Sequence, residues 1–89
     1  MKDKKDLEKI LKVLANRRRL AIIKYLKDTR GAPVGEIARE INLSFRSTSK
    51  HLSILFSANL VDKDQNNKQV FYKLSSDYDN IIKRVVSGL

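Results

Sequence analysis

The chain has 89 residues, enough for one modest core and no separate substrate domain, and its 42% hydrophobic and 33% charged residues mark it as globular. With 19 Lys and Arg against 10 Asp and Glu, its formal net charge is +9, a balance that favours a polyanionic partner. It has no cysteine, which excludes disulfides, thiolate metal sites and thiol redox sensing.

No apolar run approaches the length of a membrane span, and no signal-peptide core follows the charged start. An intracellular, soluble, cytoplasmic protein without a membrane partner is expected. The positive charge is uneven. Residues 1–30 hold eleven Lys and Arg against four acids, whereas the remainder holds eight against six. Charge of this kind supplies affinity for phosphate, and base contacts must supply any specificity.

Leu7, Ile10, Leu11 and Leu14 recur at helical spacing and predict an amphipathic first helix over residues 3–15. Asn16 is placed to cap a second helix that ends near Asp28. In it Leu20, Ile23 and Leu26 face inward, with Ala21, Ile22 and Tyr25 widening the stripe. Residues 29–33 contain Gly31 and Pro33 and read as a loop, because both break a helix.

Val34, Ile37, Ala38 and Ile41 give a third apolar stripe, closed by Asn42, a residue that tolerates the left-handed conformation of a helix stop. Ser44 is a good N-cap for a fourth helix, in which Thr48, Leu52 and Leu55 share one face while Arg46, Ser47, Lys50 and Ser53 point the other way. Asn59 repeats the stop. Residues 60–65 and 68–74 flank Asn66 and Asn67 as a hairpin, with Val70, Tyr72 and Leu74 alternating on one face. The arm from Asp62 to Gln65 is too polar to be buried, so the tip should project. Ser76 then caps a last helix over residues 77–88 with Asp79 in its first turn, and Tyr78, Ile81, Ile82, Val85, Val86 and Leu89 form its broad apolar stripe.

The expected fold class is mainly α with a small β-hairpin, a single domain over residues 1–89 in the order α-α-α-α-β-β-α. Two short helices and a tight turn, the second helix cationic on one face, fit the major groove of DNA.

Several segments resemble the ArsR/SmtB-type winged helix-turn-helix regulators, in order and without large gaps from about Leu7 to Leu74. Leu11-Lys-Val-Leu-Ala-Asn-Arg-Arg-Arg-Leu20 is similar to the start of their second helix. Val34-Gly-Glu-Ile-Ala, Leu43-Ser, Ser49-Lys-His-Leu52 and Ala58-Asn-Leu-Val61 resemble their helix-turn-helix. Lys68 with Tyr72 and Leu74 resembles the wing and its return strand. The departures are informative. Asn42 and Asn59 stand where the family usually has Gly, and Arg17 and Arg18 occupy a position where Pro commonly opens the helix. The third helix offers Ile37-Ala-Arg-Glu40 where metal-sensing members carry a cysteine motif. The last helix has Asp77 and Asp79 but no His, and residues two apart do not share a helical face. The resemblance therefore implies a non-metal-sensing member, with no metal and no cofactor.

Arg46, Ser47, Ser49 and Lys50, with Ser44 and Ser53 beside them, are the candidates to approach base edges or nearby phosphates, since Arg pairs bidentately with guanine and hydroxyls serve donors or acceptors. An ordinary solvated helix face is the competing reading. Phe45 is odd at a helix start facing DNA: it reaches a thymine methyl or packs on a neighbouring helix, and packing is preferred. His51 resembles the family's histidine at this point. A lone imidazole makes no metal site, which leaves helix packing or a phosphate contact.

Arg17, Arg18 and Arg19 lie at a helix N-terminus that already favours phosphate, although Arg19 also fits a structural role. Gln65, Asn67 and Lys68 would touch the DNA backbone from the wing, with Asp62 and Asp64 confining contact to its tip. The terminal stripes, Leu7, Ile10, Leu11 and Leu14 with Tyr78, Ile81, Ile82, Val85, Val86 and Leu89, exceed what one small core buries, and the family pattern makes them the interface of a two-fold homodimer.

The expected function is a sequence-specific double-stranded DNA-binding transcriptional regulator, a homodimeric repressor, from a prokaryote. The rivals are a winged-helix module that binds protein or RNA and a general, non-specific DNA binder. An enzyme is not expected, because no acid–base pair, metal cluster or phosphate loop is visible. No motif identifies a small-molecule effector.

Overall fold

The apolar stripes and caps read above do become helices. A computed structural model describes residues 4–66, 69–76 and 80–89, with the side chains of 6–65, 69–76 and 82–89. Its elements are α1 (Lys4–Leu14), α2 (Arg17–Thr29), β1 (Ala32–Pro33), α3 (Val34–Glu40), α4 (Phe45–Ser57), β2 (Val61–Asn66), β3 (Gln69–Leu74) and α5 (Asn80–Ser87). The hairpin tip at 67–68 and the segment 77–79, which holds Asp79 and the expected start of the last helix, lie outside the described residues.

Two of the three predicted N-caps, Asn16 and Ser44, act as such, while the cap expected from Ser76 depends on residues 77–79, outside the described residues. The Asn16 side chain accepts from the Arg19 backbone N–H at 3.1 Å, and the Ser44 hydroxyl accepts from Ser47 N–H, also at 3.1 Å. Both Asn stops adopt the left-handed conformation, with φ of 55° at Asn42 and 60° at Asn59. Each closes its helix with a paired reversal. Leu43 N–H reaches Ala38 O at 3.0 Å while Asn42 N–H reaches Arg39 O at 3.2 Å, and Leu60 N–H reaches Leu55 O at 3.0 Å while Asn59 N–H reaches Phe56 O at 3.0 Å. The residue after each Asn is apolar and folds back on the helix it has just left.

The stretch expected as a plain loop contains an additional strand. Ala32 and Pro33 pair antiparallel with Tyr72 and Phe71, giving a three-stranded sheet in the order β1-β3-β2. Pro33 is tolerated because β1 is an edge, where one missing N–H costs no ladder bond. Gly31 makes the turn into it with φ of 126°, and a Cβ there would meet the Phe71 ring at 2.6 Å. The main hairpin pairs Val61 with Leu74 and Lys63 with Tyr72, which puts Tyr72 on the core side and leaves residues 62–65 in solvent, as expected.

The core is built around α2. Ile22, Ile23 and Leu26 are fully buried against Ile37 of α3, Leu52 and Leu55 of α4, and Leu60, Val61 and Tyr72 of the hairpin. The centre of the α2 stripe thus lies one residue from the expected position: Ile22 is buried, Leu20 is half-buried and Ala21 is exposed. Among the described residues Thr48 is the one polar member of the fully buried side chains, and it donates to Ser44 O at 2.8 Å, so its hydroxyl is not left unpaired.

Candidate nucleic-acid interface

Burial of Thr48, Leu52 and Leu55 fixes the rotation of α4 about its axis, since all three are 0% exposed. At 3.6 residues per turn the opposite side carries Arg46, Lys50, Ser53 and Ser57, and all four are exposed. Two flanks border this face. Ser47 and His51 lie half-buried on the side of α2, and Phe45, Ser49 and Phe56 lie on the side of the hairpin.

The α2 flank is held by arginines. Arg19 donates from Nε to Val13 O at 2.6 Å, and its guanidinium lies 3.4 Å from His51 Nδ1. One side chain therefore joins the end of α1, the first turn of α2 and the middle of α4. Partial burial pushes the His51 imidazole below its ordinary pKa, and the cations Arg19, Arg18 and Lys50 add to the effect. A neutral ring that accepts at Nδ1 carries its proton on Nε2. Arg18 donates to Ile41 O at 3.2 Å, a cation placed at the C-terminal end of α3. Arg17 is exposed at the first position of α2.

On the other side of α3, Tyr25 of α2 donates a short hydrogen bond to Glu36. That bond and burial, with the negative charges of Glu36 and Glu40, push the phenol up to about 12. The contact pins α3 to α2, so α4 projects from a braced support. The hairpin is braced in turn: the Lys63 ammonium sits 4.7 Å from the centre of the Phe56 ring, tying β2 to the end of α4.

Residues 16–63 match the profile of the bacterial regulatory protein, arsR family. The transcriptional activator HlyU of Vibrio cholerae is 40% identical over 67 residues, covering 75% of this chain and 61% of that protein. The chain belongs to the arsR family. The HTH-type transcriptional regulator YgaV of Escherichia coli is 29% identical over 73 residues, covering 82% of this chain and 74% of YgaV. A solved structure of HlyU superposes with a TM-score of 0.82 at 32% identity, over 97% of this chain and 89% of that one. In the arsR fold α3 and α4 are the helix-turn-helix and β2–β3 the wing, and the family's proteins are DNA-binding transcriptional regulators.

Seen on this arsR framework, the residues singled out from sequence separate into groups. Ser44, Arg46, Lys50 and Ser53 are exposed together along α4, with Ser47 and Ser49 half-buried at its margins. Phe45, for which packing on a neighbouring helix was preferred from sequence, is 62% exposed, lying at the edge of α3 rather than within the core. The core closes without it, because Thr48 and Leu52 already fill the inward side of that turn. Arg19 is engaged with Val13 O and His51, and Arg18 with Ile41 O, whereas the exposed Arg17 has no side-chain bond holding it inward among the described residues. Gln65 is exposed on β2, whereas Asn67 and Lys68 lie outside the described residues.

The apolar set assigned to an interface also divides. Leu14, Ile82 and Val86 are 4%, 0% and 5% exposed within the single chain, so they belong to its own core and offer a partner nothing. Leu7, Ile10, Val85 and Leu89 are partly buried against that core, and Leu11 is 42% exposed. The side chains of Tyr78 and Ile81 are outside the described set.

Arg39 and Ser57 are two exposed residues that the sequence reading missed. Ser57 lies four residues beyond Ser53 and seven beyond Lys50, so the helical repeat alone could have found it. Arg39 was passed over because α3 was read for its apolar stripe and for a cysteine motif, not for exposed cations.

Among the described residues no three His, Asp or Glu side chains are grouped to hold a metal ion, and no helix is long and apolar enough to cross a membrane.

Proposed function

We propose that this chain is a homodimeric, sequence-specific transcriptional repressor that acts by occupying double-stranded DNA in the cytoplasm. Two copies of α4 enter successive major grooves, the hairpins flank them, and Arg17 at the start of each α2 contacts phosphate, where a helix N-terminus already favours an anion. Arg46 and Lys50 approach base edges, with Ser49, Ser53 and Ser57 as hydroxyl partners. Leu7 and Leu11 on α1 and Ala15 just after it, joined by exposed parts of α5, form the dimer surface. Lys68 and Asn67 of the wing tip are proposed as further backbone contacts.

The observation that carries this reading is the polar, cationic face of α4, presented to solvent by a helix whose opposite face is wholly buried. Membership of the arsR family supports it. The test is selection of bound fragments from genomic DNA, followed by titration at several salt concentrations. An imperfect palindrome with half-sites about 34–36 Å apart is expected, with affinity falling steeply as salt rises. Equal affinity for every duplex would overturn sequence-specific regulation. The sign of control needs its own measurement, since the Vibrio cholerae relative is named as an activator. A reporter driven from the selected site should rise when the gene is deleted.

A further inference from the structure

Phe45 is a large apolar side chain left in water at the first position of the DNA-reading helix. At 62% it is the most exposed of the large hydrophobics in the described part of the chain. It borders a shallow groove between α3 and β3, walled by Gly35, Arg39, Gln69 and Val70. Arg39 and Arg46, both exposed, stand around it, and Lys50 follows one turn along α4. The nearest acid of that groove, Glu36, is taken up by Tyr25. An apolar group framed by unneutralised cations suits a polyanion that itself presents an apolar spot. In the major groove that spot is the C5 methyl of a pyrimidine, carried by thymine and equally by 5-methylcytosine.

We propose that Phe45 is a specificity-determining residue that reads a pyrimidine C5 methyl, so that the protein distinguishes thymine from uracil and 5-methylcytosine from cytosine at one position of its half-site. The proposal rests on α4 being the helix that enters the major groove. The phenyl ring lies on the hairpin flank of the reading face, one residue step from Arg46. It therefore meets the groove wall beside the base pair that Arg46 addresses, and hydrogen bonding by Arg46 and methyl contact by Phe45 report on neighbouring pairs.

The experiment uses the selected operator duplex with deoxyuridine substituted for each thymidine in turn, and 5-methylcytosine for each cytosine in turn. Affinities are measured for the wild type and for Phe45→Ala, whose fold is checked by circular dichroism; the side chain is exposed and the variant should fold normally. One substitution of thymidine should weaken wild-type binding about threefold to fivefold, the size of one buried methyl group. Phe45→Ala should bind both duplexes alike while keeping its preference at the Arg46 position. Phe45→Leu should retain part of the discrimination. Where that position is a cytosine, 5-methylation should tighten wild-type binding by a similar factor. A preferred sequence with no methyl response, or a response that survives in Phe45→Ala, overturns this inference alone. Absence of any preferred sequence overturns the α4 reading on which it stands.

Discussion

Arg19 and His51 show how much of the interface is settled by single side chains. The imidazole is held neutral beside a guanidinium that is also bonded to the end of α1. A histidine whose folded pKa lies below its unfolded one takes up fewer protons in the native state. Its contribution to stability is therefore present above the ordinary histidine pKa and lost as pH falls through it towards the folded value. Melting temperature should drop between pH 7.5 and 5.5, and His51→Gln should flatten that slope, while leaving the fall at lower pH where carboxylates titrate. An unchanged slope in His51→Gln would show that the ring is not held neutral. Gly31 makes a second residue-scale case. Its φ of 126° and the 2.6 Å approach of a Cβ to the Phe71 ring demand glycine. Gly31→Ala should lose about 1–3 kcal/mol in denaturant titration, and Phe71→Ala in the same chain should relieve the clash but not the backbone strain. That glycine was read in the sequence only as a helix breaker, because its real constraint comes from a strand forty residues away.

At the scale of elements, local chemistry was the readable part. Asn16, Ser44, Asn42 and Asn59 each close or open a helix through bonds to neighbours in sequence, and each was legible. β1 was not legible, since two residues containing a proline become a strand only by pairing with Tyr72 and Phe71. Nor was the exposure of Phe45, which depends on Thr48 and Leu52 filling the core first. The division of labour between α4 and α2 gives a prediction at this scale. Arg46→Ala should cost roughly 1–3 kcal/mol on the preferred site and relax preference at particular base pairs. Arg17→Ala should weaken preferred and random duplex alike and lower the salt slope by about one. Titrations of both variants on both duplexes at four salt concentrations separate the two roles; equal losses everywhere for Arg46→Ala would make α4 a backbone contact.

For the whole molecule, the question is which apolar surface belongs to the chain and which to its partner. A helical stripe in the sequence shows that a face is apolar but not what covers it, so Leu14, Ile82 and Val86 were grouped with Leu11 although the chain buries the first three itself. That distinction changes the test of the dimer. A charge at Ile82 would enter a closed core without a partner and unfold the protein, whatever its oligomeric state. A charge at Leu11, 42% exposed on α1 beside Leu7 and Ala15, would meet water in a monomer at little cost. Leu11→Glu should therefore keep its circular dichroism, sediment as a monomer at micromolar concentration, and lose tight binding to a two-half-site operator. On a single half-site it should match the wild type, because α4 and its supports are untouched. Wild type sedimenting as a monomer would remove the dimer, and with it the reason for a palindromic site. If Leu11→Glu instead remained dimeric, the partner surface would lie elsewhere than α1.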